Sequence, residues 1–272
     1  MPRITIRDTE LYYIDTGTND DLTPPKETLV FAHGLLWDHT MFLPQIEALR
    51  GEYRCIAFDF RGQGKSPSTQ GGYDMDNLTQ DILELINKLV DEPVHFVGLS
   101  MGGFIGMRLA IHYPEQLKSL MLLETTADPE PQENKPKYLM LCFVAKWLST
   151  LLIVDKVMAI MFGQSFLNDP NKTALKTEWE NRLKKLQRWT FGRAVKGVIH
   201  REGIYDLLNK IQTPTLIIVG DEDVATVPAQ AQRIHKAIKN AQLKTVKQAG
   251  HTVSIEQPEL VNGYLKAFLK DR

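Results

Sequence analysis

One short stretch restricts what this chain can fold into more than any other. Gly98-Leu99-Ser100-Met101-Gly102-Gly103 lies between an apolar run, Val94-His95-Phe96-Val97, and a helical pattern from Phe104 to His112. A strand, a sharp turn and a helix in immediate succession lift a serine out of the fold and expose its hydroxyl. The glycines have steric reasons: the turn residue is strained, and a Cβ at 98 or 102 would crowd the neighbouring backbone.

A lone serine hydroxyl is a weak nucleophile until a base takes its proton and an acid orients that base. Candidates for both follow. The apolar run Thr215-Leu216-Ile217-Ile218-Val219 leads into Gly220-Asp221-Glu222-Asp223, and a histidine stands in Ala249-Gly250-His251-Thr252. Ser100, Asp223 and His251 are therefore the expected nucleophile, acid and base. Asp223 lies between Gly220 and Pro228, a loop position suited to holding a histidine. Asp221 and Glu222 are adjacent rivals, and Glu124, at the end of the run 119–124, is a distinct one. A further run, Leu29-Val30-Phe31-Ala32, enters His33-Gly34-Leu35-Leu36. The backbone N–H groups of Leu35 and Met101, the latter aided by the helix behind it, are the expected oxyanion donors. His33 is expected to bond within its own loop, and Trp37, Phe143, Trp147 and Met161 are candidates to line an acyl pocket.

Apolar runs alternating with helical patterns predict a mainly parallel sheet covered by helices. Core strands are expected near 29–32, 54–59, 94–98, 119–124, 215–219 and 243–247, after an opening hairpin at 3–7 and 11–15. Helices are expected near 76–90, 103–113, 228–239 and 257–270. The rhythm breaks between about Ala127 and Gln212. Asp128 to Pro136 reads as a linker, and Tyr138 to Phe162 is rich in Leu, Met and aromatics. Lys146, Asp155 and Lys156 cut that stretch far short of the roughly twenty apolar residues a membrane span needs. A helical lid over the sheet is the expectation, completed by a basic helix from Glu180 to Arg188.

The serine, acid, histidine order and the His33-Gly34 loop resemble the α/β-hydrolase superfamily from about Thr28 to Phe268. Gly98 to Gly103, Asp59-Phe60-Arg61-Gly62-Gln63-Gly64-Lys65-Ser66 and Glu256-Gln257-Pro258-Glu259 are similar to its esterase and lactonase branch. Within that branch the likeness is to 3-oxoadipate enol-lactonases and acyl homoserine lactone-type serine hydrolases. The resemblance implies an eight-stranded, mostly parallel sheet flanked by helices with an inserted lid. The core would then be 1–126 and 213–272 and the lid 127–212. It also implies a serine-type ester hydrolase working through an acyl-enzyme, on small esters or lactones with an apolar acyl chain, N-acyl homoserine lactones among them. His33-Gly34 is shared with C–C hydrolases of ring-cleavage products and cofactor-free perhydrolases, which form the alternative. A non-catalytic ligand-binding protein on the same fold is a third reading.

Composition bounds the partners. A net charge of −1 gives no electrostatic reason to expect nucleic acid or an anionic membrane. No metal-ligand pattern and no cofactor motif stands out: Gly64-Lys65-Ser66 imitates the end of a P-loop, but Asp59 stands where its first glycine belongs. Asp59 and Arg61 are expected to brace the loop after their strand. The start, Met1 to Arg7, alternates like a strand and lacks a signal peptide's apolar core, so a cytoplasmic monomer or homodimer is expected. No disulfide between Cys55 and Cys142 is expected.

Overall fold

The computed structural model describes residues 2–17, 26–186 and 188–272. In chain order the strands are β1 (Arg3–Ile6), β2 (Thr9–Asp15), β3 (Thr28–Ala32), β4 (Arg54–Phe58), β5 (Val94–Leu99), β6 (Leu117–Leu123), β7 (Thr215–Gly220) and β8 (Gln242–Val246). The helices before β7 are α1 (Leu43–Leu49), α2 (Met75–Leu89), α3 (Met101–His112), α4 (Lys135–Trp147), α5 (Val154–Met161), α6 (Gln164–Asn168), α7 (Thr173–Lys184) and α8 (Arg188–Ile199). After it come α9 (Pro228–Ala237), α10 (Val253–Glu256) and α11 (Pro258–Leu269).

The eight strands form one sheet in the order β1-β2-β4-β3-β5-β6-β7-β8. β1 and β2 run antiparallel to their neighbours, and every later pair is parallel. From β3 the chain steps outward to β4 and then returns to the other side of β3 for β5. The crevice at such a reversal, beyond the carboxyl ends of the strands, is where open α/β sheets place ligands. Here it lies between the loops that follow Ala32 and Leu99.

Because alternate residues of a strand face opposite sides, the inner strands feed two cores. Leu29, Phe31, Val97 and Leu99 pack with Ile46 of α1 and Val261, Leu265 and Phe268 of α11. Val30, Ala32 and Phe96 pack with Leu78 and Ile82 of α2, Ile105 of α3 and Ile234 of α9. α3 is apolar nearly all round and is buried on almost every side. The structure bears out the sheet and the four predicted helices, the last as α11, which Pro258 begins, with the short α10 just before it.

Two points depart from expectation. α1, only seven residues long, had no periodic signal to find. The basic helix expected over 180–188 is two: α7 ends at Lys184, and α8 begins at Arg188. Residue 187, inside the expected helix, lies like Met1 outside the described residues. Between β6 and β7 the chain forms α4 to α8. No helix among the described residues is long and apolar enough to cross a membrane. Cys55 and Cys142 are buried free thiols.

Asp59 and Arg61 brace the loop after β4. Asp59 Oδ1 accepts from His39 N at 2.7 Å, and its Oδ2 accepts from Lys65 N at 2.8 Å. His39 Nδ1 also meets Oδ1 at 2.8 Å. Asp38, His39 and Asp59 bring potential metal-ligand atoms within 4.8 Å of one another, but His39 and Asp59 spend theirs on the bonds above, and Asp38 Oδ1 accepts from Thr40 N at 2.9 Å. Arg61 and Asp81 form a buried pair, with Arg61 Nε 2.7 Å from Asp81 Oδ2.

Candidate active site

Ser100 occupies the turn between β5 and α3 with φ 52° and ψ −110°, a left-handed conformation that a side chain adopts only when its surroundings over-determine it. Those surroundings are backbone. A Cβ on Gly98 would overlap the carbonyl of Gly102, and one on Gly102 would overlap the carbonyl of Ala32. Ser100 N donates to Leu123 O at 2.8 Å, and Thr125 Oγ1 donates to Ser100 O at 2.9 Å. The β6 end thus clamps the turn from the side opposite β3.

The other two loops converge on it. Asp223 follows β7 and His251 follows β8, the neighbouring strand. His251 Nε2 lies 2.9 Å from Ser100 Oγ, and His251 Nδ1 lies 2.9 Å from Asp223 Oδ2. All three side chains are buried. Asp223 is locked in turn: Ala225 N and Thr226 N donate to Oδ1 at 2.7 and 3.0 Å, and Thr226 Oγ1 donates to Oδ2 at 2.7 Å. Burial pushes the Asp223 carboxyl up, but the His251 imidazole and these donors outweigh it and hold it at about 2. It is a carboxylate at neutral pH.

Of the rival acids, Asp221 spends Oδ1 on Gln248 N at 2.8 Å and lies at the surface beside Lys247. Glu222 bonds Ser165. Glu124, at the end of β6, is fully buried; its Oε1 accepts from Gly220 N at 2.7 Å. Its Oε2 has no donor among the described residues. Burial, and then the neighbouring Asp223 carboxylate, push Glu124 well above the usual carboxylate range. A proton on Oε2 resolves both problems, since it removes a buried charge and turns an orphan acceptor into a donor toward Asp223.

The loop after β3 supplies the other wall. His33 Nε2 accepts from Phe60 N at 3.0 Å, so Nδ1 carries the proton and donates to Gly34 O at 2.7 Å. Burial keeps that ring neutral. In a trans peptide the C=O and N–H point opposite ways, so tethering Gly34 O turns Leu35 N–H the other way. Leu36, strained at φ 74°, is pinned by Gln63 Oε1, which accepts its N–H at 2.8 Å. Neither Leu35 N nor Met101 N has an acceptor among the described residues. A helix begins at Met101, and its dipole favours negative charge there.

Ser100 and His251 open into a cavity of about 100 Å³. Leu35, Leu36 and Phe104 form its floor with Ser100; Tyr138, Leu141, Val157, Met161, Val195 and Ile199 come from α4, α5 and α8. Of the four pocket candidates, Met161 stands in the lining of this cavity, and the other three do not. Trp37 is buried in the core, edge-on to Trp179 at 4.9 Å and to Phe162 at 5.9 Å. Phe143 and Trp147 are 56% and 59% exposed on the outer side of α4, because Tyr138, Leu141, Cys142 and Ala145 take its inner face. Periodicity placed these residues on a helix but could not say which stripe turned inward.

Sequence reasoning missed several supporting residues. Glu256 Oε2 accepts from Gly163 N at 2.9 Å and Gly250 N at 3.0 Å, and its Oε1 accepts from Thr252 N at 3.1 Å. Thr252 Oγ1 donates to Met161 O at 2.9 Å. One buried carboxylate therefore ties the His251 loop to the end of α5. Gln63 and Glu256 both sit inside motif stretches, a signal that was available. Thr226 had none, and neither did Glu130 and Arg201, which line the cavity from positions 71 residues apart.

Residues 27–258 match the family model described as alpha/beta hydrolase fold. The provisionally named carbamate hydrolase RutD of Stutzerimonas stutzeri is 28% identical, over 92% of this chain and 94% of its own length. 3-Oxoadipate enol-lactonase 2 of Acinetobacter baylyi is 26% identical, over 98% of this chain and 96% of its own. Among solved structures, a thermophilic esterase from Thermogutta terrifontis has a TM-score of 0.89 at 26% identity, covering 100% of this chain and 99% of that one. The enol-lactonase from Burkholderia xenovorans LB400 shares the fold with a TM-score of 0.90 at 24% identity, covering 99% and 100%. With its sheet order, its strained serine turn and this match over most of its length, the chain belongs to the α/β-hydrolase fold family.

Proposed function

We propose that this protein is a serine-type carboxylic ester hydrolase acting on small esters or lactones through an acyl-enzyme. The observation that carries the reading is the unbroken relay from Ser100 Oγ through His251 to Asp223, 2.9 Å at each step, beside two idle backbone N–H groups. His251 Nε2 takes the Ser100 proton as Oγ attacks the carbonyl carbon. The developing oxyanion is received by Leu35 and Met101 N–H, donors of a kind worth about 3 kcal/mol each in mutational tests. Collapse expels the alkoxide, which takes the proton from His251, and leaves Ser100 acylated. Water then repeats the sequence and frees the acid. Asp223, ionised throughout, holds the Nδ1–H tautomer and stabilises the imidazolium.

Residues 127–212 act as a lid whose inner face sets the acyl pocket. The cavity is smaller than the ~300–1,000 Å³ common for ligand sites. That favours short acyl groups; a lactone with a medium-length tail needs α4 and α5 to move. The test is proton release from short-chain esters and lactones, with labelling of Ser100 by a fluorophosphonate. Serine-dependent turnover lost in Ser100→Ala supports the reading. Turnover retained in that variant sinks it.

A further inference from the structure

Away from Ser100, Thr226 and His251, the cavity above the strand ends is apolar except for one built polar cluster. Arg201, at the end of α8, and Glu130, before α4, line it together. Their side chains are only 4% and 9% exposed, and Arg201 Nη1 lies 2.8 Å from Glu130 Oε2. Arg201 Nε donates to Asp128 O at 3.0 Å, and Nη1 also donates to Val198 O at 3.0 Å. The guanidinium lies over the Phe104 ring, 4.5 Å from its centroid. Among the described residues its Nη2 has no acceptor. Glu130 Oε1 is occupied by Asn134 Nδ2 at 3.0 Å. Tyr138, whose hydroxyl has no hydrogen-bond partner among the described residues, lines the same cavity. A buried ion pair is weak support for stability, since apolar residues of the same volume commonly do as well. Its place against a substrate cavity, with one donor left over, calls for another explanation.

We infer that Arg201, capped by Glu130 and joined by Tyr138, is a subsite for an uncharged hydrogen-bond acceptor at the far end of the acyl group. The inference rests on the ester-hydrolase reading and narrows its substrate class. Arg201 Nη2 is a strong donor, but Glu130 has already neutralised the pair's charge. A carbonyl of an ester, ketone or amide gains the hydrogen bond without losing much hydration. A free carboxylate must give up its hydration to meet a site with no net charge, and Glu130 repels it. The preferred substrates are thus esters or lactones whose short acyl chain ends in a neutral carbonyl.

The experiment compares three ester sets by proton release. They are the dimethyl esters of succinate, glutarate and adipate, their mono-methyl half-esters, and methyl esters of unbranched acids of matching length. The wild type is expected to prefer the best diester over its apolar counterpart by about tenfold in kcat/KM, as a hydrogen bond to a charged group allows, with the half-ester poorest. Arg201→Met should erase the diester preference, the diester losing about tenfold more in kcat/KM than the apolar ester of matching length. Glu130→Gln, which uncaps the arginine, should raise the half-ester about tenfold relative to the diester. Tyr138→Phe, the mildest change, should weaken the diester preference only. The same selectivity in wild type and all variants, or a uniform loss on every ester, overturns the subsite and leaves Arg201 a structural clip.

Calorimetry with dimethyl glutarate and the Ser100→Ala protein separates this from failure of the parent reading. If no ester is hydrolysed, the serine mechanism falls. Binding weakened about tenfold by adding Arg201→Met still supports the subsite, and unchanged binding removes it.

Discussion

The strand ends and the helices above them are held in place by different physics. At the strand ends, backbone meets backbone. Gly98 and Gly102 leave no room for a methyl group, and Ser100 is strained because its neighbours permit nothing else. Asp223 accepts from two backbone N–H groups and one hydroxyl. In the helices between β6 and β7, side chains meet side chains, and one face is left bare. Met140, Phe143, Leu151 and Leu152 are all more than half exposed. The first region admits one geometry, which suits a reaction that fails if atoms move by an ångström. The second admits many packings. In the proposed hydrolase, chemistry and selectivity are thus written in different materials.

The sharpest way to break that contrast is to remove the proposed nucleophile. Ser100→Ala should lower kcat by about 10⁶-fold, the loss seen when one member of such a relay is deleted, while the melting temperature stays near that of the wild type. A large loss of stability instead would mean that the strained serine also supports the fold.

The same contrast decides what could be read from sequence. The meeting of Ser100, Asp223 and His251, with the N–H groups of Leu35 and Met101 beside them, was legible because close backbone approach leaves marks: Gly98, Gly102, Gly220 and Gly250 sit where a Cβ would collide with main chain. The inner strands β3 to β7 were legible because both faces are buried, so they appear as continuous apolar runs, whereas β1 showed itself by alternation. The helices between β6 and β7 left weaker marks. α4 carries large apolar residues on both faces, so Phe143 and Trp147 could not be told from Tyr138 and Leu141. The Glu130–Arg201 pair joins distant positions by side chains alone, and no spacing rule anticipates it.

A paired substitution tests whether the strand ends carry one acid or two. Asp223→Asn should cost about 10⁴-fold in kcat by destroying the required histidine tautomer. Glu124→Gln should cost less than about threefold, because glutamine is the neutral shape that buried Glu124 already has. Stability supplies the sign. Glu124 has a folded-state pKa raised above 4.5, so above that pH the unfolded chain gains from ionisation and the folded chain does not. Glu124→Gln should therefore raise the melting temperature at pH 7, and the gain should vanish near pH 4. Asp223 has the opposite sign. Its depressed pKa adds stability above 3.8 that is lost as pH falls toward about 2. Comparing the variants across pH 3 to 8 separates them, and a Glu124→Gln enzyme as dead as Asp223→Asn would make Glu124 part of the relay.

A smaller effect is expected where backbone geometry depends on one side chain. Gln63→Ala removes the acceptor that pins Leu36 and should lower kcat by about tenfold with KM little changed, since an oxyanion donor acts mainly in the transition state. An effect on KM alone would mean that Gln63 shapes the pocket and not the donor.

The smallest effects should come from the outer face of α4, and they sharpen the contrast most cleanly. Phe143→Ser changes a side chain 56% exposed and should shift stability by no more than about 0.5 kcal/mol. Met158→Ala, on α5 and 3% exposed, empties a packed site and should cost about 2–4 kcal/mol. Only Met158→Ala should also alter the pocket, because Val157 and Met161 on the same helix line it. Chemical denaturation and KM for a short ester, measured on both variants, read the two consequences separately. If Phe143→Ser destabilises as much as Met158→Ala, the outer face of α4 is packed in solution, and the helices above the sheet are as tightly specified as the strand ends below them.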